Sequence, residues 1–580
     1  MNPLLPENSM PSARPAARGQ SPLPPAPYPG LRPFTQHEAR CFYGRAMERL
    51  QLLKLLSASH FVAVFGTSGS GKSSIVLSGL IPDLRAGRLT GLPGAETEFA
   101  IFRPGRNPYE NLASALSQTW LQDDFPSPYL IEERLRQSPL SLKQMVEDVQ
   151  GRGPRNLIII VDQFEEIFRY ANLSGEQELE DTGSRRGFSP VAGVLDEAQS
   201  FINLLLLTAG QSAGRVRVII TMRSEFFAQC EAFEGLSESI AAHQFITPRM
   251  NRDQMEDAIQ VPLNHFGSSI SSELLNELLN DMHQEADQLP ALQHLLSRMW
   301  HQAKARSLSP SVEFTTEDYR RVGELSGAIN LHGEQLIEAN KLTKEHVGRF
   351  FRCLGGFDPS SGRAIRRPRT LAQITAESGL PEAEVRAIAH VFAHPEASFI
   401  TPVISSESEM PLLNDSIIDI AHECLLRRWQ SCQQWLLTEK READALKTLK
   451  QRMEDFAWDG TRTVTGDHLS PGQYQTFSEL LKDTATRSQA WASRYGCDVA
   501  ETHAFLKAEK RYAFFQRWRL PLVAASFLLI ISVSVGQVFI TRARADAVIA
   551  ASDRRRADAE AKLAAMLEQM NKLAEGQSAA

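Results

Sequence analysis

Gly66-Thr67-Ser68-Gly69-Ser70-Gly71-Lys72-Ser73 follows the pattern G-x-x-x-x-G-K-[ST], a spacing that grips phosphate. Its glycines let the backbone curl until successive N–H groups converge on an anion, and the helix that follows adds its positive N-terminus. Lys72 is placed to reach β- and γ-phosphate oxygens and to take part in the chemistry, the Ser73 hydroxyl is placed to ligate Mg²⁺, and Ser74 continues the cradle. Such a site needs a metal-side carboxylate on a second strand, and Asp162 in "NLIIIVDQFEEIF" supplies it. Glu165 or Glu166, with Glu166 preferred, is placed to polarise an attacking water as general base. The same two acids also suit a solvated helix start, where the dipole favours negative charge. Thr221 and Arg223 in "VRVIITMRSEFF" stand where a γ-phosphate would be touched; an ordinary surface ion pair suits Arg223 nearly as well.

These groups need buried parallel strands to carry them. Residues 61–65, 157–161 and the run before Thr221 are uninterrupted apolar stretches, as expected of strands covered on both faces. The expected fold class is therefore α/β, a P-loop NTPase with a parallel sheet and flanking helices. The stretch 171–193 carries charge, Gly and Ser without apolar periodicity and reads as a loop inserted after the acidic strand. From 250 to 345 the apolar spacing is helical, as in "ISSELLNELLNDM", and from 346 to 436 short helices mix with a wing-like "FITPVISS". Residues 440–515 form a further helical section that includes Trp458 and Trp491.

A chain of 580 residues exceeds what one core can bury and divides into several units. With 62 Lys+Arg against 69 Asp+Glu and no long basic run, no nucleic-acid partner is expected. Cys41, Cys230, Cys353, Cys424, Cys432 and Cys497 show no C-x-x-C spacing, so they read as small core fillers of a reducing compartment. Residues 1–26 are a Pro-rich arm expected to be disordered, with no secretory apolar region. Residues 520–540, "LPLVAASFLLIISVSVGQVFI", are charge-free and of the length that crosses a bilayer as one helix. Basic residues flank both sides, so charge alone leaves the orientation open; a domain that uses ATP must face the cytosol, which places the tail 541–580 outside. In that tail Leu563, Met566, Met570 and Leu573 have coiled-coil spacing, although a single solvated helix fits as well.

The motifs together resemble a known family, the STAND signalling ATPases, and within it the bacterial novel STAND NTPase 1 domain. The resemblance rests on "PYPGLRPFTQHEARCFYGRAMERL", with its Tyr43-Gly44-Arg45, and on "VDQFEEIF", "TMRSEFF", "LPALQHLLSRMW" and "IAHECLLRRW", spanning about residues 27–515. Ala46 stands where the family has Glu after the Arg, which removes that carboxylate's role. The resemblance implies an NTPase domain at 27–248, a helical domain at 249–345 and a winged-helix-like domain at 346–436. A membrane-proximal helical region at 437–519 then leads to the span. It implies ATP or ADP with Mg²⁺ as ligands, Arg45 at the nucleotide, Pro290 near the adenine, and His422 on the ADP β-phosphate in a resting state. A capping or core histidine is an equal reading of His422. A zinc-protease reading fails, because Leu426 stands where H-E-x-x-H needs its second histidine.

Two functions are open at this stage. One is a slow ATPase at the inner membrane of a bacterium, a signalling switch that forms homo-oligomers when a protein trigger activates it. The other is a non-hydrolysing membrane scaffold held in shape by nucleotide.

Overall fold

Strands buried on both faces need mostly apolar side chains, and three segments have them: β1 (Phe61–Gly66) is buried throughout, β3 (Arg155–Val161) at all but its first residue and β4 (Val216–Arg223) at all but its last. In this computed structural model they join β2 (Glu96–Phe102) and β5 (Gln244–Ile246) in one sheet of order β2-β3-β4-β1-β5, every pair parallel. The structure describes residues 23–577 apart from 90–95, 106, 120, 122–123, 125–126, 151–154, 169–190, 212–214, 283–287, 308, 358–361, 405–411, 456–467 and 485–488. Residues 1–22 of the Pro-rich arm, Trp458, part of the wing-like stretch and most of the inserted loop thus lie outside the described residues, whereas Ala26 packs on the helical core.

Side chains alternate along each strand and so divide between two cores. Ala63, Phe65, Ile159, Val161, Val218 and Ile220 pack with Phe201, Leu204 and Leu205 of helix Val191–Gln211. Val62, Val64, Ile158, Ile160 and Ile219 face Ile75, Val76 and Leu80, just after the glycine-rich loop. Each such side chain, fully buried, contributes about 1.5–3 kcal/mol. The sheet order matters for the site, because β4 lies between β1 and β3 and its end separates the loop from Asp162. After Gly71 the helix Lys72–Ser74 runs through a π-helical turn, Ile75–Leu80, into Ile81–Arg85.

Helices Arg252–His265, Ser272–Met282, Gln288–Arg306 and Glu324–Ala339 share an apolar core, and Asn251 caps the first through Gln254 N–H at 2.8 Å. A fourth core gathers helices Lys344–Leu354, Leu371–Ser378 and Glu382–Ala393 around an antiparallel sheet in which Ile417–Ile420 lies between Arg369–Thr370 and Ile400–Thr401. All six cysteines are buried and unpaired by disulfides.

The chain divides into two compact units, Met1–Asp444 with Thr486–Gly496, and Ala445–Ala485 with Cys497–Ala580. The second has a small core of Leu449, Met453, Phe477, Phe505 and Leu506. It also carries one helix, Val499–Gln577, which includes a window of mean hydropathy 2.3 with none of its surface buried. The apolar run 520–540 and the charged tail are therefore parts of one helix rather than separate elements. Pro521 sits within it.

Candidate functional site

The glycine-rich loop leaves β1 at Gly66, whose hydrogen already faces Ser70: a Cβ there would lie 2.5 Å from Ser70 Oγ. Gly69 and Gly71 take φ of +74° and +91°, the left-handed region that only glycine enters without cost, so both are needed to turn the loop. Lys72 Nζ donates to Gly66 O at 2.9 Å and Thr67 O at 2.7 Å, which folds the ammonium over the loop it serves. Burial lowers the Lys72 ammonium below its usual range, opposed by the Glu165 and Asp162 carboxylates. Arg45, 2% exposed, supports the loop from the protein side: its guanidinium donates to Ser70 O (3.0 Å) and Pro248 O (2.9 Å) and pairs with Glu48 (3.2 Å).

Across the cleft, Asp162 follows the last residue of β3. Its Oδ1 accepts from Ser73 Oγ at 2.6 Å and Thr221 Oγ1 at 2.8 Å, and Arg103 Nε pairs with Oδ2 at 3.3 Å. The loop hydroxyl, the acid of β3 and the hydroxyl of β4 thus meet at one carboxylate oxygen. Glu165 is buried, lines the cleft and accepts from Arg223 N–H at 3.4 Å. Glu166 accepts from Gly105 N–H at 3.1 Å.

Burial pushes the Glu166 carboxyl up to about 7, against Arg103 and Arg366 and with help from Asp419. The folded protein holds this proton up to about pH 7, whereas an unfolded chain releases it near the ordinary value of 4.5, so stability falls as pH rises across that window. In Glu166→Gln the loss is removed, and its Tm relative to wild type should climb between pH 4.5 and 7. Melting curves that shift in parallel over that range would refute the assignment.

The loop is also met from the two other modules of the first unit. A Cβ at Gly69 would lie 3.1 Å from Pro290 of helix Gln288–Arg306 and 3.4 Å from His422 Cε1. His422 Nδ1 accepts from Cys424 N–H at 3.1 Å, which puts the proton of a neutral imidazole on Nε2. Next to it, Glu423 is the centre of a network that the sequence reading missed. Its Oε2 accepts from Ser68 Oγ at 3.2 Å, and its Oε1 accepts from Arg223 and from Arg366 Nε, both at 3.0 Å. Arg366 further donates to Asp419 (2.6 Å), Ile420 O (3.0 Å) and Gln163 Oε1 (2.8 Å). Burial alone would raise the Glu423 carboxyl, but the Arg366 and Arg223 guanidiniums hold it well below the usual range.

Gln163 shows the tension in this arrangement, with a φ of +58° unusual for a side-chain-bearing residue and its N–H donated to Thr221 Oγ1 at 3.0 Å. No local pattern marks Arg366 or Gln163; the available signal for Glu423 was its place beside His422. Arg223 pairs with Glu423 and Glu225, so the ion pair foreseen as an alternative is present, inside the cleft.

The cleft measures about 1110 Å³ including its open mouth. Gly69, Gly71, Lys72, Ser73, Thr221 and Arg223 line it together with the apolar Phe34, Phe42, Tyr43, Met250, Leu289 and Pro290. A lining of both kinds suits a ligand with a charged part and an aromatic part. Arg223 Nε, in that lining, is buried without a hydrogen-bond partner, so a donor remains for an anion. Among the described residues no cluster of three or more His, Cys, Asp or Glu could cage a metal. The Ser73–Asp162 pair fits instead an ion that keeps waters and shares substrate phosphates, as Mg²⁺ does.

The sequence profile of a family described as Novel STAND NTPase 1 matches residues 27–463. No curated protein matches the chain. Among solved structures, Drosophila ORC bound to DNA is 14% identical, with 67% of this chain and 83% of that one covered and a TM-score of 0.30. The ORC2 protein of Aeropyrum pernix in its ADPNP-ADP complexes is 12% identical, covering 68% and 95%, with a TM-score of 0.34. A Walker-type ATPase of Pyrococcus abyssi is 16% identical, covering 68% and 98%, with a TM-score of 0.29. At TM-scores this low these likenesses carry no argument about the chain.

Proposed function

This chain belongs to the novel STAND NTPase 1 family of nucleotide-binding NTPases, and from that premise we propose that it is a membrane-anchored switch, closed over ADP at rest and opened by exchange for ATP. The observation that carries the proposal is the meeting at Gly69, where Pro290 and His422, from two different modules, approach the phosphate loop within contact distance of a single missing Cβ. A nucleotide in the cleft touches all three modules and so senses, and sets, their closure.

In this reading the backbone of Gly69, Ser70 and Gly71, with Lys72, holds the phosphates, and Arg45 braces the loop. Ser73 and Asp162 hold Mg²⁺, which when bound neutralises charge on the β- and γ-phosphate oxygens. Glu165, in the cleft wall, polarises the attacking water; Glu166, preferred on sequence grounds, is the alternative, and its place beside Gly105 favours a supporting role. Arg223 reads the γ-phosphate, Pro290 meets the base, and His422 contacts the β-phosphate in the closed form. Hydrolysis is slow and resets the switch.

Residues 346–436 act as a winged-helix clamp, a reading supported by three helices and a three-stranded antiparallel sheet sharing one core. The span at 520–540 anchors the protein in a bacterial inner membrane with the NTPase on the cytosolic side. Its support is the length, mean hydropathy and complete exposure of that stretch. Opening, prompted by a protein trigger, leads to homo-oligomers.

The test is the size of the detergent-solubilised full chain with ADP and with a non-hydrolysable ATP analogue. A larger assembly with the analogue is expected. Equal size in both, with binding intact, would leave the non-hydrolysing scaffold as the better description.

A further inference from the structure

Beyond the span the helix Val499–Gln577 continues without a break, and its apolar side chains have nothing to pack on. Ile549 is 57% exposed, Leu563 62%, Met566 65%, Met570 66% and Leu573 70%. These positions fall on one line whose steps alternate four and three residues, through 545, 549, 552, 556, 559, 563, 566, 570 and 573. The line runs back into the span through Val538 and Val535 with no change of step. An average of 3.5 residues per turn is the seam of a left-handed coiled coil and not the wider stripe by which a helix covers a globular core.

Charge and direction say what covers this seam. With Leu563 and Met570 at the first core position of the heptad, Arg555 lies on one flank and Glu560 on the other, five residues on. In a parallel, unshifted pair of identical helices Arg555 of each copy faces Glu560 of the other, so attraction is made twice. Ser552 and Arg556, at core positions, are polar steps in the seam, and such steps disfavour shifted alignments. Direction comes from the anchor: two copies held by the same span leave the membrane on one side and at one height, which permits parallel pairing and forbids antiparallel.

We propose that residues 545–573 pair with the same segment of a second copy of this chain as a parallel, in-register two-stranded coiled coil. The inference rests on the proposed span. It gives the switch a contact on the far side of the membrane, independent of the nucleotide.

Cysteine cross-linking of the full chain in native membranes tests it, since the natural cysteines are all buried and none lies beyond Cys497. Under mild oxidation, Ala559→Cys and Met566→Cys, on the seam, should give at least about fivefold more dimer than Ala561→Cys and Glu568→Cys, on the opposite face. Labelling of Glu568→Cys in intact cells by a membrane-impermeant maleimide reports the span separately. Outside labelling with seam-specific dimers supports the proposal. Outside labelling with equal or no cross-linking at all four positions overturns the coiled coil and leaves the span standing. Labelling only after the membrane is opened puts the tail on the inner side, with or without a span, and overturns this inference.

Discussion

Lys72→Ala is expected to lower nucleoside-triphosphate turnover by about 10²- to 10³-fold, the loss typical of removing one donor aimed at developing charge. Nucleotide affinity should fall as well, by about 10- to 150-fold, because a hydrogen bond to a charged group contributes about 1.5–3 kcal/mol. Tm without nucleotide should hardly move. Nζ is held by the carbonyls of Gly66 and Thr67, but burial already lowers its proton affinity, so little folding energy rests on it. That combination separates the switch from a scaffold in which the loop only maintains shape. Fluorescent-nucleotide titration, phosphate release and a melting curve on the same preparation decide the matter. Unchanged turnover in the variant would refute the catalytic reading of the loop.

Arg366→Ala should have the larger effect on closure. The guanidinium is 8% exposed and joins Asp419 and Glu423 to Gln163, beside the acid strand. Although its own burial opposes ionisation, Asp419, Glu423 and Glu166 together hold its proton above the usual range. Removing it leaves two buried carboxylates without their main partner, a change that costs about 3–5 kcal/mol in buried ion pairs. If that falls on the closed arrangement, ADP release should accelerate by about 100-fold or more, and Tm should drop. Arg321→Ala removes an ion pair with Glu317, whose side chain is 79% exposed, and a long one (4.0 Å) with Asp318, which keeps Arg306, and should change stability by less than about 1 kcal/mol. Stopped-flow release of a fluorescent ADP from both variants makes the comparison. Release from Arg366→Ala at the wild-type rate would remove Arg366 from the lock.

The same contrast explains which parts of the site were legible in the amino-acid order. The phosphate loop is local: eight consecutive residues carry the two left-handed glycines, the lysine and the hydroxyl, so nothing distant is needed to recognise it. Asp162 is nearly so, because an apolar run ending in an acid has few other readings. β2 and β5 were missed for an equally local reason. Glu96, Thr97 and Glu98 break the apolar run of β2, and β5 has only three residues, two of them exposed, so neither resembles a strand buried on both faces. Both are edge strands, where hydrogen bonding to a formed neighbour outweighs weak sequence preference.

Adjacency in sequence does not rank Glu165 and Glu166. Successive residues after a strand turn to different sides, and after the turn at Gln163, pinned by Thr221, Glu165 meets Arg223 N–H and Glu166 meets Gly105 N–H. Local chemistry, the curl of glycines and the run of apolar residues into strands and one exposed helix, is written in neighbouring letters, because it depends on backbone torsion and periodicity. The lock is not. Arg223 and Glu423 are 200 residues apart and Arg366 and Gln163 are 203 apart, and a charge pair over such a span leaves no periodic trace. Their partnership exists only once the three modules have packed, when burial makes each unpaired charge too costly to leave alone.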